Sequence, residues 1–545
     1  METNRKTTFV KGAAILTVAA VICKVIGLLI RVIATRILLE DGMYYYDKVF
    51  PIYSWLLIIS SSGIPIAISR LVAERAAVGN IDGAKRVFRR SLLLLLLIGA
   101  ATSALMFFGA DWIGTSVLRG DAGMKYSLMA LAPSLLFVSL ICAFRGYLQG
   151  LQRMTGTSVS QLAEQVFKFI FGLLLAHYLL IRYQNSEFRY AAGAAGLILG
   201  VTISEVLALF VIVIFYLCTR KDYPSLIEDP DPDARVLWPM LVIAIPITLG
   251  ASILPLANML DSFMIEQLLL KAGFTNESAA FNYTVLCNYV RSIINLPASL
   301  TVGISMSVVP AISAARARRD TGDVQHLSLL SLKIAMAIGI PCAVGLSVLA
   351  GPIINFLYFR SDAQFMDALN IAVPLMRVAA FTVIFISLAQ TATGALQGVG
   401  RQWLPMCFLL IGGVIKVAVN FIFIPMKEIN TLGAVFSNLA CFGVAGILDT
   451  IALLKVTKAK LNVFDTFLKP ILVSALMGSA AWVTYMLLNK LAPFQTGILN
   501  KAATMLAILV AIVVYAVLIV RSGMFTKEEL VYIPGGNRIA RFARR

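Results

Sequence analysis

Apolar residues run along this chain in blocks of about twenty, separated by short polar joints. A helix needs about 20 mainly apolar residues to cross ~30 Å of hydrocarbon. Fourteen such runs lie near 11–36, 49–69, 91–114, 126–147, 160–181, 190–217, 237–268, 283–312, 329–357, 369–394, 403–425, 431–454, 469–488 and 500–520. None has the strict alternation of barrel strands, and lipid offers no partner to an unpaired backbone group, so the spans must be helices. The pattern predicts an all-α integral membrane protein of 14 transmembrane helices. No joint is long enough to hold a soluble domain.

Composition strengthens this reading: 59% of the 545 residues are hydrophobic and 14% charged, against roughly 45–50% and ~25% in soluble domains, and the mean hydropathy is +0.87. The net charge of +18 gathers mostly in the joints of one side: the N-terminus, the loops near 70–90, 145–159, 218–236, 313–328, 395–402 and 455–469, and the tail. The positive-inside rule makes that side, and both termini, cytoplasmic. The basic excess is then a topology signal with some attraction to anionic headgroups, and nucleic acid is not implied. Arg5 and Lys6 precede the first run, but no small-residue cleavage site follows, so it is kept as a span.

The seven cysteines are scattered singly and the two histidines, His177 and His326, are isolated. No metal site is predicted, and no GxxxxGK[ST] loop is present to bind ATP. The short loops leave no room for a catalytic acid or base, so an enzyme is not expected. The most acidic loop, "RKDYPSLIEDPDPDAR" at 220–235, reads as a linker rich in turn residues.

An internal repeat organises the spans. "GYLQGLQRMTGTSVSQLAEQVFK" (146–168) aligns without gaps on "GALQGVGRQWLPMCFLLIGGVIK" (394–416), with eight identities that include the LQG triplet, Arg153/Arg401 and Lys168/Lys416. A weaker echo pairs "AISRLVAERAAVGNID" (67–82) with "AISAARARRDTGD" (311–323) after a short gap. Both echoes are six spans apart, an even number, so the halves share one orientation, as in transporters built from parallel repeats. The expected organisation is an N-terminal lobe (1–218), a cytoplasmic inter-lobe linker (219–236), a C-terminal lobe (237–457), and a last segment (458–545) with spans thirteen and fourteen and a basic cytoplasmic tail. That makes two pseudo-symmetric six-helix lobes plus two C-terminal helices, with the expected site in a cleft between the lobes.

Charged side chains inside spans cost at least ~2.5–3.5 kcal/mol at the bilayer centre and mark bundle interiors or wet cavities. Lys24 and Arg31 are seven residues apart and share one helix stripe. Gln161, Glu164, Gln165 and Lys168 form a polar stripe on span five, with Glu164 spaced to pair Lys168. Asn288, Arg291 and Asn295 repeat that spacing on span eight. Asn258 and Asp261 lie one turn apart on span seven, while Arg377 and Lys416 add cations to spans ten and eleven. Bland readings stand beside these: Arg36 as a snorkelling span-end residue, Arg70, Glu74 and Arg75 as cytoplasmic-edge charges, Glu164 with Lys168 as a structural pair, and Lys416 as a helix-end anchor.

The stretches "CAFRGYLQGLQRMTGTSVSQLAEQVFK", "SSSGIPIAISRLVAERAAVGN" and "NLPASLTVGISMSVVPAIS" resemble the polysaccharide-transporter branch of the multidrug/oligosaccharidyl-lipid/polysaccharide exporter superfamily. Within it they look like the stage V sporulation protein B group and the Gram-positive lipid II flippases. The resemblance implies a bacterial cytoplasmic-membrane protein that exports an undecaprenyl-pyrophosphate-linked saccharide, lipid II in the flippase case, through a cationic cleft by alternating access. It places the protein in peptidoglycan and cell-wall synthesis, cell shape or sporulation. Carried over by motif, Lys24 takes the first arginine position of span one; Arg31 and Arg291 each lie one position from their counterparts. Arg70 of "AISR" is a loose match to the span-two arginine, and Asn295 stands where that branch has an acid.

The expected substrate contacts are Lys24, Arg31, Arg70, Arg291, Lys168, Arg377 and Lys416. The expected polar or coupling groups are Asp261, Asn258, Glu164, Gln161, Gln165, Asn288 and Asn295. A pyrophosphate suits guanidinium and ammonium groups through charge-assisted hydrogen bonds. No cofactor is expected; a Na+ or H+ gradient, or the membrane potential, would drive the cycle. The partners are the lipid-linked oligosaccharide, membrane lipids and cell-wall synthesis enzymes. Two other functions remain open: a multidrug extruder, whose cationic cargo would want an acidic cavity, and a non-transporting scaffold for wall or spore-cortex synthesis.

Overall fold

The computed structural model describes residues 2–118, 123–220, 236–491 and 498–525. The expected linker, except its ends, and the basic tail lie outside the described residues. Among the described residues every regular element is a helix. Eleven helices are long and apolar enough to cross a membrane, or twelve if one bent pair counts as a single span. The other two expected spans, 11–36 and 49–69, fall on the first two helices.

The chain divides into two compact units, residues 1–266 and 267–545. The first holds α1 (Glu2–Ser61), α2 (Gly63–Ala77), α3 (Ile81–Phe108), the short α4 (Ala110–Trp112), α5 (Gly123–Gly150), α6 (Met154–Arg182), α7 (Arg189–Arg220) and most of α8 (Leu237–Lys271). α1 is two helices joined at Leu39, whose φ of 58° breaks the helical run. The unit continues beyond the expected linker because α8 packs back on it. Ser91 of α3 donates to the Met240 sulfur at 3.1 Å, and the Gly63 N–H donates to Thr248 Oγ1 at 3.2 Å. Phe88 on α3 meets Phe144 and Tyr147 of α5 and Tyr216 of α7 at ring separations of 4.9 to 5.0 Å.

The second unit holds α9 (Asn276–Val285), α10 (Ser292–Ala317), α11 (Thr321–Val348), α12 (Ala350–Tyr358), α13 (Ala363–Ala379), α14 (Thr382–Gly398), α15 (Trp403–Phe423), α16 (Leu432–Thr457), α17 (Lys469–Leu491) and α18 (Ile498–Arg521). A π-helical turn, Leu286–Arg291, joins α9 to α10. α13 and α14 form the bent pair, at 43°. α18 is tied to α11 by Tyr515, whose hydroxyl donates to the Ala337 carbonyl at 2.7 Å.

In each unit large apolar side chains such as Leu97, Leu174, Ile214, Val414 and Val513 point outward, while Glu205, Asp261, Lys416 and Asp449 are buried. This inside-out distribution is what a lipid solvent demands, and small residues let the helices close. A Cβ on Gly200 would fall 2.2 Å from the Gly172 Cα, so α6 and α7 are in backbone contact.

The repeat is visible as one turn built twice. After α5, Gln152 takes φ 61°, and after α14, its counterpart Gly400 takes φ 75°. The Arg153 N–H then donates to Leu148 O, and the Arg401 N–H to Leu396 O, both at 2.8 Å. The weaker echo also corresponds to a shared junction. Asn80 caps α3 by accepting from the Gly83 N–H, and Asp320 caps α11 by accepting from the Asp323 N–H. Setting Asn80 on Asp320 shifts the register by four residues, one turn, from the setting that matches the letters AIS. The capping geometry, not the letters, marks the equivalent positions.

Candidate polar clusters in the two units

The N-terminal unit has two buried polar groups of residues. In the first, Arg145 of α5 donates to Ser160 Oγ at 2.8 Å and to Glu164 at 3.0 Å, both on α6. Gln165 donates to the other Glu164 oxygen at 3.4 Å. Glu205 of α7 is also buried. Arg145 Nε and Glu205 Oε2 are buried without a partner. α1 borders this group: Cys23 Sγ lies 3.6 Å from the Gln161 carbonyl.

The expected pairing of Glu164 with Lys168 is not formed. A rigid guanidinium from α5 takes the carboxylate instead, and the Lys168 ammonium stands 5.3 Å over the Phe50 ring. On α1, Lys24 is exposed, while Arg31 forms an ion pair with Asp47 and lies 5.8 Å from the Tyr46 ring centre. The Arg31 side chain retains 22% of its surface. Arg70, midway along α2, is exposed and bonded at 3.0 Å to Glu74, also exposed.

The second group joins α1 to α8. Lys48 pairs with Glu266 and donates to the Ser262 carbonyl at 2.8 Å. Tyr44 donates to the same Glu266 carboxylate, 3.1 and 3.2 Å from its two oxygens. Asp261 is buried beside this group on α8, with Asn258 half-buried one turn before it.

In the C-terminal unit the expected stripe Asn288–Arg291–Asn295 is broken: Asn288 is buried, Arg291 half-buried and Asn295 exposed. The π-helical turn over Leu286–Arg291 replaces the 3.6-residue period that the spacing assumed. Tyr358 of α12 donates to the Asn288 carbonyl at 3.0 Å. Arg377 is exposed, and its carbonyl accepts from Ser347 at 2.9 Å. Lys416 is buried in α15, one turn before the buried Asn420. On α16, Asp449 accepts from Thr393 of α14 at 3.0 Å.

Arg145, Glu205, Asp47, Lys48, Glu266 and Asp449 were not singled out by the sequence reading. The available signal was a lone charge within or beside an apolar run: Arg145, Glu205, Glu266 and Asp449 each interrupt one. Among the described residues no three His, Cys, Asp or Glu side chains gather as metal ligands.

The family model described as Polysaccharide biosynthesis protein matches residues 9–313, and a model described as MatE matches 287–422. Lipid II flippase MurJ of Bacillus subtilis is 24% identical over 553 residues, covering 98% of this chain and 99% of that protein. Stage V sporulation protein B of the same bacterium is 25% identical over 431 residues, 79% of this chain and 80% of that one. Among solved structures, Lipid II flippase MurJ in an inward closed conformation matches with a TM-score of 0.65 at 17% identity, over 92% of this chain and 97% of that chain. With a family model matching more than half of its length, this multi-pass membrane chain belongs to the polysaccharide biosynthesis protein family, in the multidrug/oligosaccharidyl-lipid/polysaccharide exporter group that includes the lipid II flippases and stage V sporulation protein B.

Proposed function

We propose that the protein is a flippase that carries an undecaprenyl-pyrophosphate-linked saccharide, lipid II first among them, from the inner to the outer leaflet of a bacterial cytoplasmic membrane by alternating access. The observation that carries this reading is the α1 face on which Lys24 is exposed and Arg31 is held by Asp47 with its side chain partly exposed. The two charges are about 10 Å apart along the helix, and a diphosphate bridged between them would gain charge-assisted hydrogen bonds. Asp47 and Tyr46 fix the Arg31 rotamer before the ligand arrives, which lowers the ordering cost of binding.

In this reading residues 1–218 and 237–457 are the two lobes, 219–236 links them on the cytoplasmic side, and both termini are cytoplasmic. Arg291, Arg377, Lys168, Lys416 and Arg70 add to the positive field felt by the headgroup. Glu164 and Asp261 are the coupling candidates for H+ or Na+, and the membrane potential acts on the cationic carrier at about 2.3 kcal/mol per charge per 100 mV. Cell-wall synthesis enzymes are the consumers of the product. The relatives named as lipid II flippases support this choice of substrate.

Complementation of a lipid II flippase depletion, with the appearance of flipped substrate at the outer surface measured, tests the reading. Wild type should restore both growth and outward movement, and a folded Lys24→Ala/Arg31→Ala variant should lose both. Growth without outward movement would point to a scaffold, and unchanged flipping by the variant would remove these cations from the substrate path. The MatE match over 287–422 favours a drug extruder as the second reading; tighter binding of organic cations than of lipid-linked pyrophosphates would establish it.

A further inference from the structure

The repeat places Arg145 of α5 and Thr393 of α14 at the same position, each immediately before the first glycine of its GxLQG stretch. In the N-terminal unit that position supplies a guanidinium to a buried acid, Glu164. In the C-terminal unit it supplies only a hydroxyl, and the acid it meets is Asp449. α16 approaches α14 closely because residue 446 is glycine: a Cβ there would fall 3.1 Å from the Phe385 carbonyl oxygen. Asp449, three residues on, lies on the same helix face, and Thr393 is about two turns beyond Phe385 on α14.

Asp449 is 1% exposed. One carboxyl oxygen accepts from Thr393 at 3.0 Å and the other is buried with no hydrogen-bond partner. The helices packed around α16 carry Asp323, His326, Lys333 and Cys342 (α11), Asp367 and Arg377 (α13), and Cys407 and Lys416 (α15), while α16 itself carries Cys441 and Lys455. The donor that reaches the Asp449 carboxyl is the Thr393 hydroxyl. An ionised carboxylate with one donor and, among the described residues, no cation paired to it is costly in such a place, whereas a carboxylic acid is tolerable there.

We propose that Asp449 is a proton-binding site of the C-terminal unit, carrying its proton in this conformation and exchanging it during the transport cycle. The ligand class is the proton itself; the exchange half of the statement rests on the flippase reading, the binding half does not. Where the N-terminal copy of the position neutralises its acid with arginine, the C-terminal copy neutralises it with a proton.

Infrared difference spectroscopy of the purified full chain, titrated upward from about pH 5, where an exposed aspartate is already ionised, reads the binding half. Wild type should show a carboxylic-acid band that survives above that pH and is missing in Asp449→Asn but retained in Glu205→Gln. Thr393→Val, which removes the donor to the charged form, should move loss of the band to higher pH. This variant covers the case in which Asp449→Asn fails to fold. A wild-type band unaffected by Asp449→Asn, or a titration unmoved by Thr393→Val, overturns the proposal. The pH dependence of lipid II flipping reads the exchange half: it should flatten in Asp449→Asn, and an unchanged profile overturns that half. Absence of flipping by wild type would defeat the flippase reading and leave the infrared result standing.

Discussion

Arg145 and Glu164 pair at 3.0 Å across α5 and α6 with side chains only 13% and 19% exposed. Arg145 is the cation paired with this buried carboxylate. Removing one partner of a buried pair costs about 3–5 kcal/mol because the other is left without compensation. Arg145→Ala should therefore lower the unfolding temperature of the detergent-solubilised protein clearly, and Arg145→Met/Glu164→Met should recover most of the loss. Equal losses in the single and double variants would show that the pair is not what holds α5 to α6.

The helical blocks and the repeated LQG turn were legible in the sequence because both are local: apolar length sets the first, and a left-handed residue after the helix sets the second. Partners across helices were not legible. Glu164 and Lys168 have the spacing of a helical pair, yet a side chain nineteen residues away in sequence takes the carboxylate, since i,i+4 spacing is worth only ~0.2–0.5 kcal/mol. Lys48 stands at a joint between apolar runs and Glu266 two residues before its run ends, places where a charge is ordinary. The Asn288–Arg291–Asn295 stripe failed for a different reason: it assumed a constant α-helical period, and the π-helical turn at Leu286–Arg291 changes the period where those side chains branch off.

Lys48 and Glu266 are a second buried pair, with side chains 1% and 9% exposed, and solvent screens them little. Lys48→Met should cost about 3–5 kcal/mol and Lys48→Met/Glu266→Met far less, since two apolar side chains replace a fully removed pair. A double-mutant cycle on thermal unfolding measures the coupling. Additive single effects would mean that Lys48 acts through the Ser262 carbonyl and not through Glu266.

Glycines at helix contacts should divide into two kinds. A Cβ on Gly150 would fall 2.7 Å from Val72 Cβ and 2.8 Å from the Ser69 carbonyl oxygen, while one on Gly413 meets nothing within 4 Å. Gly150→Ala has to push α2 away from α5, at a cost of about 1–3 kcal/mol. Gly413→Ala should be neutral or stabilising by up to about 1 kcal/mol, as helix propensity dictates. Thermal unfolding of the two variants side by side checks the contrast, and similar shifts in both would remove close packing as the reason for Gly150.

The turn that ends α5 and α14 offers the most direct use of the repeat. Gln152 holds φ 61° and Gly400 φ 75°, a region that costs a residue with a side chain of order 1 kcal/mol and glycine almost nothing. The two copies therefore differ by one strained residue, and exchange should act in opposite directions. Gln152→Gly should relieve the strain, offset in part by greater freedom of the unfolded chain, leaving a gain of a few tenths of a kcal/mol. Gly400→Gln should lose more than 1 kcal/mol, because its Cβ would also fall 2.2 Å from Arg316 Nη1, displacing a guanidinium that donates to the Val399 carbonyl. Unfolding measurements on the two exchanges decide it: a Gly400→Gln variant as stable as wild type would mean that Arg316 moves freely and that the left-handed geometry imposes no penalty at this joint.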